Sequence, residues 1–207
     1  MITLYHAPQS RSSRIIWLLE ELGATYTIHP VSIFRPMTGD GHPDPANPHP
    51  DQRVPAIEHD DGLITESVGI ALYLGDALPG AGLAPAVGSA WRGAYCTWLA
   101  WYACEMEPAM FAAMAGALAA SPAKQRDYDA VVRRLETALS HRDYVLSDGF
   151  SIADLLIASA LNFGRKAFPA SALIDDYVAR CHARPAAVRA RALDDAAGLQ
   201  HYREAMA

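Results

Sequence analysis

The pattern of apolar residues changes character once along this chain, at Pro79-Gly80-Ala81-Gly82-Leu83-Ala84-Pro85. Closely spaced proline and glycine break helix and strand alike, so this stretch reads as a linker. Before it, short runs rich in β-branched residues alternate with helical periodicity; after it only helical periodicity remains. The division predicts a mixed α/β domain over 1–78, a linker over 79–87 and an all-helical bundle over 88–207.

In the first part, Ile2 to His6 is a β-like run followed by the turn-forming Ala7-Pro8-Gln9-Ser10. Ser10 or Ser12 stands where a helix through Leu22 needs a cap; Ile15, Ile16, Leu18, Leu19 and Leu22 recur at helical spacing, and Gly23 stops it. Thr25 to Ile33 reads as a second strand. The prolines between 36 and 51 predict a long exposed loop. Val54 to His59 and Leu63 to Thr65 read as a hairpin around Asp60-Asp61-Gly62, and Glu66 to Leu78 as a helix. In the second part, helices are expected near 88–119, 122–141, 151–163, 173–183 and 186–196, with Pro108 kinking or dividing the first.

Charge narrows the partners. The net charge of −6 comes from residues 1–78, which hold four Lys/Arg against ten Asp/Glu. No basic stripe offers itself to a nucleic acid. An anionic ligand would have to be held locally, by a helix N-terminus, backbone N–H groups or a particular arginine. The longest apolar runs, such as Ala153 to Leu161, are too short to span a bilayer. The first residues lack the features of a signal peptide. Cys96, Cys104 and Cys181 form no C-x-x-C, and the histidines, His42, His49 and His59 among them, lack ligand spacing and read as solvated side chains. No metal is expected, and a reducing cytoplasm is the simplest home.

Five pieces now line up in order: the run from Leu4 to Gly23 (L-Y-H-A-P-Q-S-R-S-S-R-I-I-W-L-L-E-E-L-G), Arg53-Val54-Pro55-Ala56-Ile57, Glu66-Ser67, Ser151-Ile152-Ala153-Asp154, and Tyr177-Val178-Ala179-Arg180 followed by Ala183-Arg184-Pro185-Ala186. In these the chain resembles the cytosolic glutathione transferase family. The resemblance implies a thioredoxin-like first domain, a cis peptide before Pro55, a homodimer, and glutathione as co-substrate. The implied activity is detoxifying conjugation of the glutathione thiolate to small hydrophobic electrophiles. Two departures stand out. The family's N-P-x-G-K/R is stretched here to Asn47-Pro48-His49-Pro50-Asp51-Gln52-Arg53, without the glycine. The active loop also has no cysteine, unlike the classes whose first helix begins with a catalytic one.

The residues suit that chemistry. A thiol of ordinary pKa, about 8.5, needs a hydrogen-bond donor or a helix N-terminus to be held as thiolate. Ser10 sits where strand becomes helix, and position alone favours a cap. The resemblance favours catalysis, because the serine-type classes place their serine four residues before an arginine, as Ser10 precedes Arg14. Ser12 and Tyr5 are the competing hydroxyls, and Arg11 is either a charge near the thiolate or a solvated side chain. The resemblance also implies that Val54 and Pro55 pair with the cysteinyl backbone, with Arg53 beside them. Ser67 would hold the γ-glutamyl carboxylate at a helix start, and Glu66 the α-amino group. Ser151 and Asp154 form a capping box and serve folding alone. Along the second part Trp91, Tyr95, Trp98, Tyr102, Met106, Met110 and Met114 recur at helical spacing, a stripe expected in core or interface; Tyr102 and Met106, at its middle, are the candidates for a hydrophobic electrophile pocket. Two other functions fit the same residues: glutathione-dependent disulfide or peroxide reduction, with a second glutathione as resolving thiol, and a glutathione-binding scaffold without turnover.

Overall fold

Strand β1 (Ile2–His6) alternates in burial, with Ile2, Leu4 and His6 inside and Thr3 and Tyr5 half-buried on the other face. It is central in a four-stranded sheet of order β2-β1-β3-β4. In this computed structural model, which describes residues 1–146 and 149–205 (the side chains of 198–205 aside), β2 (Tyr26–Pro30) runs parallel to β1. Strands β3 (Ala56–His59) and β4 (Gly62–Thr65) are antiparallel to their neighbours. β2 is an edge strand ending at Pro30, short of the expected Ile33, since an edge tolerates a residue without an N–H.

A parallel β1–β2 pair requires a crossover, and α1 (Ser13–Leu22) supplies it. Its Ile15, Ile16, Leu18 and Leu19 are fully buried. Gly23, at φ 61°, takes the left-handed C-cap, and the N–H of Ala24 returns to the carbonyl of Leu19 at 3.0 Å. Helix α2 (Ser67–Ala77) follows β4. The thioredoxin-like arrangement expected of the first part, a mixed sheet with helices against it, is present.

The chain divides into two compact units, one of Met1–Ala81 together with the segment from Pro185, the other Gly82–Arg184. The last helix, α8 (Pro185–Ala205), was expected within the helical part and packs instead on α1. Its buried face is small, with Ala186, Ala187 and Ala190, so the two helices approach closely, and Arg189 pairs with Glu20 at 2.7 Å. Periodicity shows that a helix is amphipathic but not what it covers.

The second unit is helical. The expected long first helix begins at Arg92, because Gly88 is left-handed at φ 85°. It runs as α3 (Arg92–Trp101), a π turn (Tyr102–Met106) and α4 (Glu107–Met114). Pro108 can donate no bond to the preceding turn, and the π turn shifts the ladder so that the N–H of Glu107 reaches the carbonyl of Tyr102. α5 (Pro122–Leu139), α6 (Ile152–Gly164) and α7 (Ala172–His182) complete it. At the start of α6 the Asp154 carboxylate accepts from the N–H and hydroxyl of Ser151 at 2.9 and 2.7 Å, from the N–H of Val145 at 2.8 Å and from the Tyr177 hydroxyl at 3.0 Å. Burial still pushes its carboxyl upward against those donors.

Candidate functional site

Register brings the predicted site together. Tyr5 pairs with Ala56, and Ala56 pairs with Thr65. The loop after β1, the residues before β3 and those after β4 therefore leave the sheet at the same end of its strands. These segments carry Ser10 and Arg11, Arg53 to Pro55, and Glu66 and Ser67.

The Val54–Pro55 bond is cis. Val54 is buried with Ala7 and Val31 in a small apolar cluster, against which Tyr5 and Ile33 pack. The stretched segment before it is braced from within. Asn47 donates to the carbonyl of Arg53 at 3.0 Å, and Gln52 to the carbonyl of Asn47 at 2.9 Å. Gln52 adopts φ 53°, so a non-glycine residue takes the left-handed conformation where the family pattern has glycine. His49, read from sequence as solvated, is buried; its Nδ1 accepts the N–H of Asp51 at 3.1 Å, and burial followed by the charge of Arg53 lowers its pKa. Exposed His42 fits the solvated reading, whereas His59 is largely buried and bonded to the Tyr73 hydroxyl at 2.8 Å.

Glu66 stands at the N-cap of α2 with φ 65° and ψ 129°, a region costly for a residue with a Cβ. Its exposed carboxylate lies 4.0 Å from the Arg53 guanidinium, which also contacts Asp51. Ser67, only 8% exposed, has its Oγ buried and without a hydrogen-bond partner. A buried hydroxyl without a partner costs ~1–3 kcal/mol, so its place beside free helix N–H groups suits an anionic ligand.

The loop after β1 is a dense knot of hydroxyls. Ser10 Oγ donates to the carbonyl of Ala7 at 2.7 Å, accepts the N–H of Ser12 at 3.1 Å, and lies 2.8 Å from Ser12 Oγ. Ser12 is fully buried at the N-cap position of α1, yet its side chain makes no cap bond. Instead Ser12 Oγ sits 2.8 Å from His6 Nδ1 and accepts the N–H of Ala7 at 3.2 Å. Tyr5 sends its hydroxyl to Glu58 at 2.9 Å; its pKa is raised by burial and then by that carboxylate. Arg11 is exposed and Arg14 buried.

Three residues of this knot were not foreseen as site residues. Arg35, from the long loop, donates to the carbonyls of Pro8 at 2.6 Å and Gln9 at 3.4 Å. Asp194 of α8 accepts the N–H of Gln9 at 3.1 and 3.3 Å and the hydroxyl of Ser13 at 2.9 Å. His6 Nε2 lies 3.1 Å from Asp194 Oδ1, at ion-pair distance but off the axis of the N–H bond. Burial alone would raise the Asp194 carboxyl; the nearby His6 ring and the donors Gln9 and Ser13 outweigh it and hold it below the ordinary value. Alternation along β1 could have revealed His6, since it shares the inner face with Ile2 and Leu4. Nothing in the sequence pairs Asp194 with it.

Tyr102 and Met106, the electrophile-pocket candidates, belong to the second unit. Both are buried in the π turn, and the Tyr102 hydroxyl is 2.5 Å from Glu107.

With this geometry in place, the comparisons define the class. Residues 1–76 match the family described as "Glutathione S-transferase, N-terminal domain", and residues 102–185 the one described as "Glutathione S-transferase, C-terminal domain". The chain belongs to the glutathione transferase family. Among solved structures it is similar to a glutathione S-transferase from Actinobacillus pleuropneumoniae (25% identity over 94% of this chain and 93% of that one, TM-score 0.78). It is also similar to a sphingomonad glutathione S-transferase complexed with glutathione (26% identity, 93% and 98% covered, TM-score 0.76). A third, a glutathione transferase from Methylococcus capsulatus, shares 27% identity over 96% and 100% of the two chains, with TM-score 0.74. No curated protein matches the chain at the sequence level.

Proposed function

We propose that this protein binds glutathione at the end of the sheet where Arg53–Pro55, Glu66–Ser67 and the Ser10 loop leave it, and conjugates its thiolate to a small hydrophobic electrophile. The observation that carries the reading is the buried, unpartnered hydroxyl of Ser67 at the start of α2, two residues after Thr65, whose register partner Ala56 follows the cis Val54–Pro55 bond. The γ-glutamyl carboxylate supplies what that hydroxyl and the helix N-terminus lack. Glu66 takes the α-amino group, and the backbone of Val54 pairs with the cysteinyl unit as an added strand would. The glutathione complex of the sphingomonad relative supports the ligand class.

Ser10 is the hydroxyl that meets the sulfur. Ser12 is fully buried, Tyr5 is engaged with Glu58, and Ser13 gives its proton to Asp194. Ser10 is half-buried and its oxygen partners, the Ala7 carbonyl and Ser12 Oγ, are both uncharged, so rotation about χ1 can turn its O–H toward a thiolate. Arg11 adds positive charge nearby. For the electrophile, Tyr102 and Met106 of the second unit are the proposed apolar contacts, both of them buried in the π turn. A cytoplasmic homodimer active in detoxification is the setting proposed.

Isothermal titration calorimetry with reduced glutathione tests the binding site. Micromolar to millimolar affinity is expected, with Ser67→Ala weakening it about tenfold, the loss of one charge-assisted hydrogen bond. Absence of heat at millimolar glutathione would remove both the conjugating and the reducing enzyme from consideration.

A further inference from the structure

The segment from Asn47 to Arg53, stretched relative to the family pattern, is folded around a buried ring. His49 is 3% exposed, and its Nδ1 accepts the N–H of Asp51 at 3.1 Å. A backbone N–H can only donate, so Nδ1 is a lone pair there and the hydrogen of the neutral ring sits on Nε2. The backbone of His49 is held as well. Its N–H goes to Asn47 Oδ1 at 3.1 Å, and its carbonyl accepts the N–H of Gln52 at 2.9 Å.

Two lines of contact run from this residue to Arg53. Along the first, buried Asn47, which accepts the N–H of His49, donates to the carbonyl of Arg53 at 3.0 Å. That carbonyl shares a planar peptide with the N–H of Val54, so pinning it fixes where the Val54 N–H points. Along the second, the ring holds the N–H of Asp51, whose carboxylate contacts the Arg53 guanidinium, itself 4.0 Å from Glu66.

We infer that His49 is a positioning residue for the glutathione site: its neutral ring braces this segment, and a proton on Nδ1 breaks the brace and weakens glutathione binding. This rests on the reading of Arg53–Pro55 and Glu66 as glutathione ligands. Once protonated, Nδ1 becomes a donor facing a donor, and the N–H of Asp51 has to turn away. The charged groups facing the ring are Asp51 and Arg53 of its own segment and Glu66 at the start of α2. Burial and then Arg53 lower the His49 pKa against the opposing pull of Glu66 and Asp51. The neutral, bracing form therefore prevails at pH 7, and release comes below the ordinary histidine value of about 6.5. Charge alone would act the other way. An imidazolium attracts glutathione, with its two carboxylates and one ammonium, and would tighten binding in acid. The sign of the pH dependence separates a brace from a charge.

Calorimetry with reduced glutathione from pH 7 to 5, beside NMR of the ligand-free protein, makes the test. Over that range the ligand's own ionisation is nearly constant. The wild-type Kd should rise about fivefold as His49 takes up its proton, the loss of one net hydrogen bond. The amide signals of Asp51 and Val54 should move in step with the ring ¹⁵N signals of His49. His49→Asn supplies an acceptor for the N–H two residues on and does not titrate, so its Kd should stay level across the range. His49→Leu has no acceptor and should bind at pH 7 as weakly as the wild type does at pH 5. A wild-type Kd that stays flat or falls while His49 titrates overturns the inference. So does a pH step that survives in His49→Asn, or amides that ignore the titration. A ring still neutral at pH 5 removes the pH response, and equal binding by the Leu and Asn variants at pH 7 removes the brace. Failure of glutathione to bind the wild type at any pH is a separate result: it ends the transferase reading, while the amide signals still decide whether the brace exists.

Discussion

Three serines crowd the turn between β1 and α1, and hydrogen bonding rather than position distinguishes them. Ser12 occupies the N-cap place but uses its oxygen on His6 and the N–H of Ala7. Ser10 accepts from the N–H of Ser12, a local turn bond, while its hydrogen rests on the Ala7 carbonyl. Ser10→Ala should therefore lower conjugation at neutral pH about tenfold or more and move the acidic limb of the pH–rate profile upward, with glutathione affinity nearly unchanged. Tyr5→Phe should leave the profile in place, because that hydroxyl is turned to Glu58. If Ser10 is only a turn-former, Ser10→Ala would instead cost ~1 kcal/mol of stability and leave the profile where it was. Side by side, the two profiles and a urea melt decide between these roles. Ser67 was legible at this scale from its place after Glu66 at a predicted helix start. Its lack of a partner was not, since satisfaction is a property of surroundings.

At the scale of elements, the capping box and the C-terminal signature prove to be one structure. Ser151 and Asp154 were legible from spacing, and Tyr177 from its own motif; the fold brings the Tyr177 hydroxyl 3.0 Å from Asp154. Asp154 also holds the N–H of Val145, tying the segment before α6 to the helix start. Asp154→Ala would orphan several buried donors at once, and unfolding in urea should show a loss of about 3 kcal/mol or more. Ser151→Ala should cost only ~1 kcal/mol. Because Ser151 belongs to the unit that carries none of the proposed glutathione ligands, its variant should titrate glutathione like wild type. Weakened binding there would mean that the box does more than hold α6. The π turn teaches the complementary point. Pro108 marked an interruption in the sequence, but only the helix itself shows that the ladder widens by a residue over Tyr102–Met106 instead of breaking.

For the whole molecule, α8 alters the picture of where domains begin and end. A helix from the end of the chain completes the first unit, so truncation before Pro185 would remove Asp194 and expose the buried face of α1. Several large apolar side chains of the second unit remain exposed, among them Trp91, Phe111 and Phe163. Such surface suits association, as the family resemblance implies. Light scattering at micromolar concentration should give twice the chain mass of 22.3 kDa, and a monomer mass would contradict the homodimer. Among the described residues no helix is long and apolar enough to cross a membrane.

The sequence by itself determined the change from mixed sheet and helix to helix alone at the proline- and glycine-rich stretch, the order of strands and helices in the first unit, and the cap at Ser151. Each of these is a local matter: periodicity, turn chemistry, or a motif a few residues long. Tertiary structure decided the rest. The packing of α8 on α1, the burial of His49, and the meeting of His6 with Asp194 across 188 positions all depend on which surfaces face each other. Hydrogen bonds and burial between distant segments are set by that packing, and a single chain read residue by residue carries no record of it.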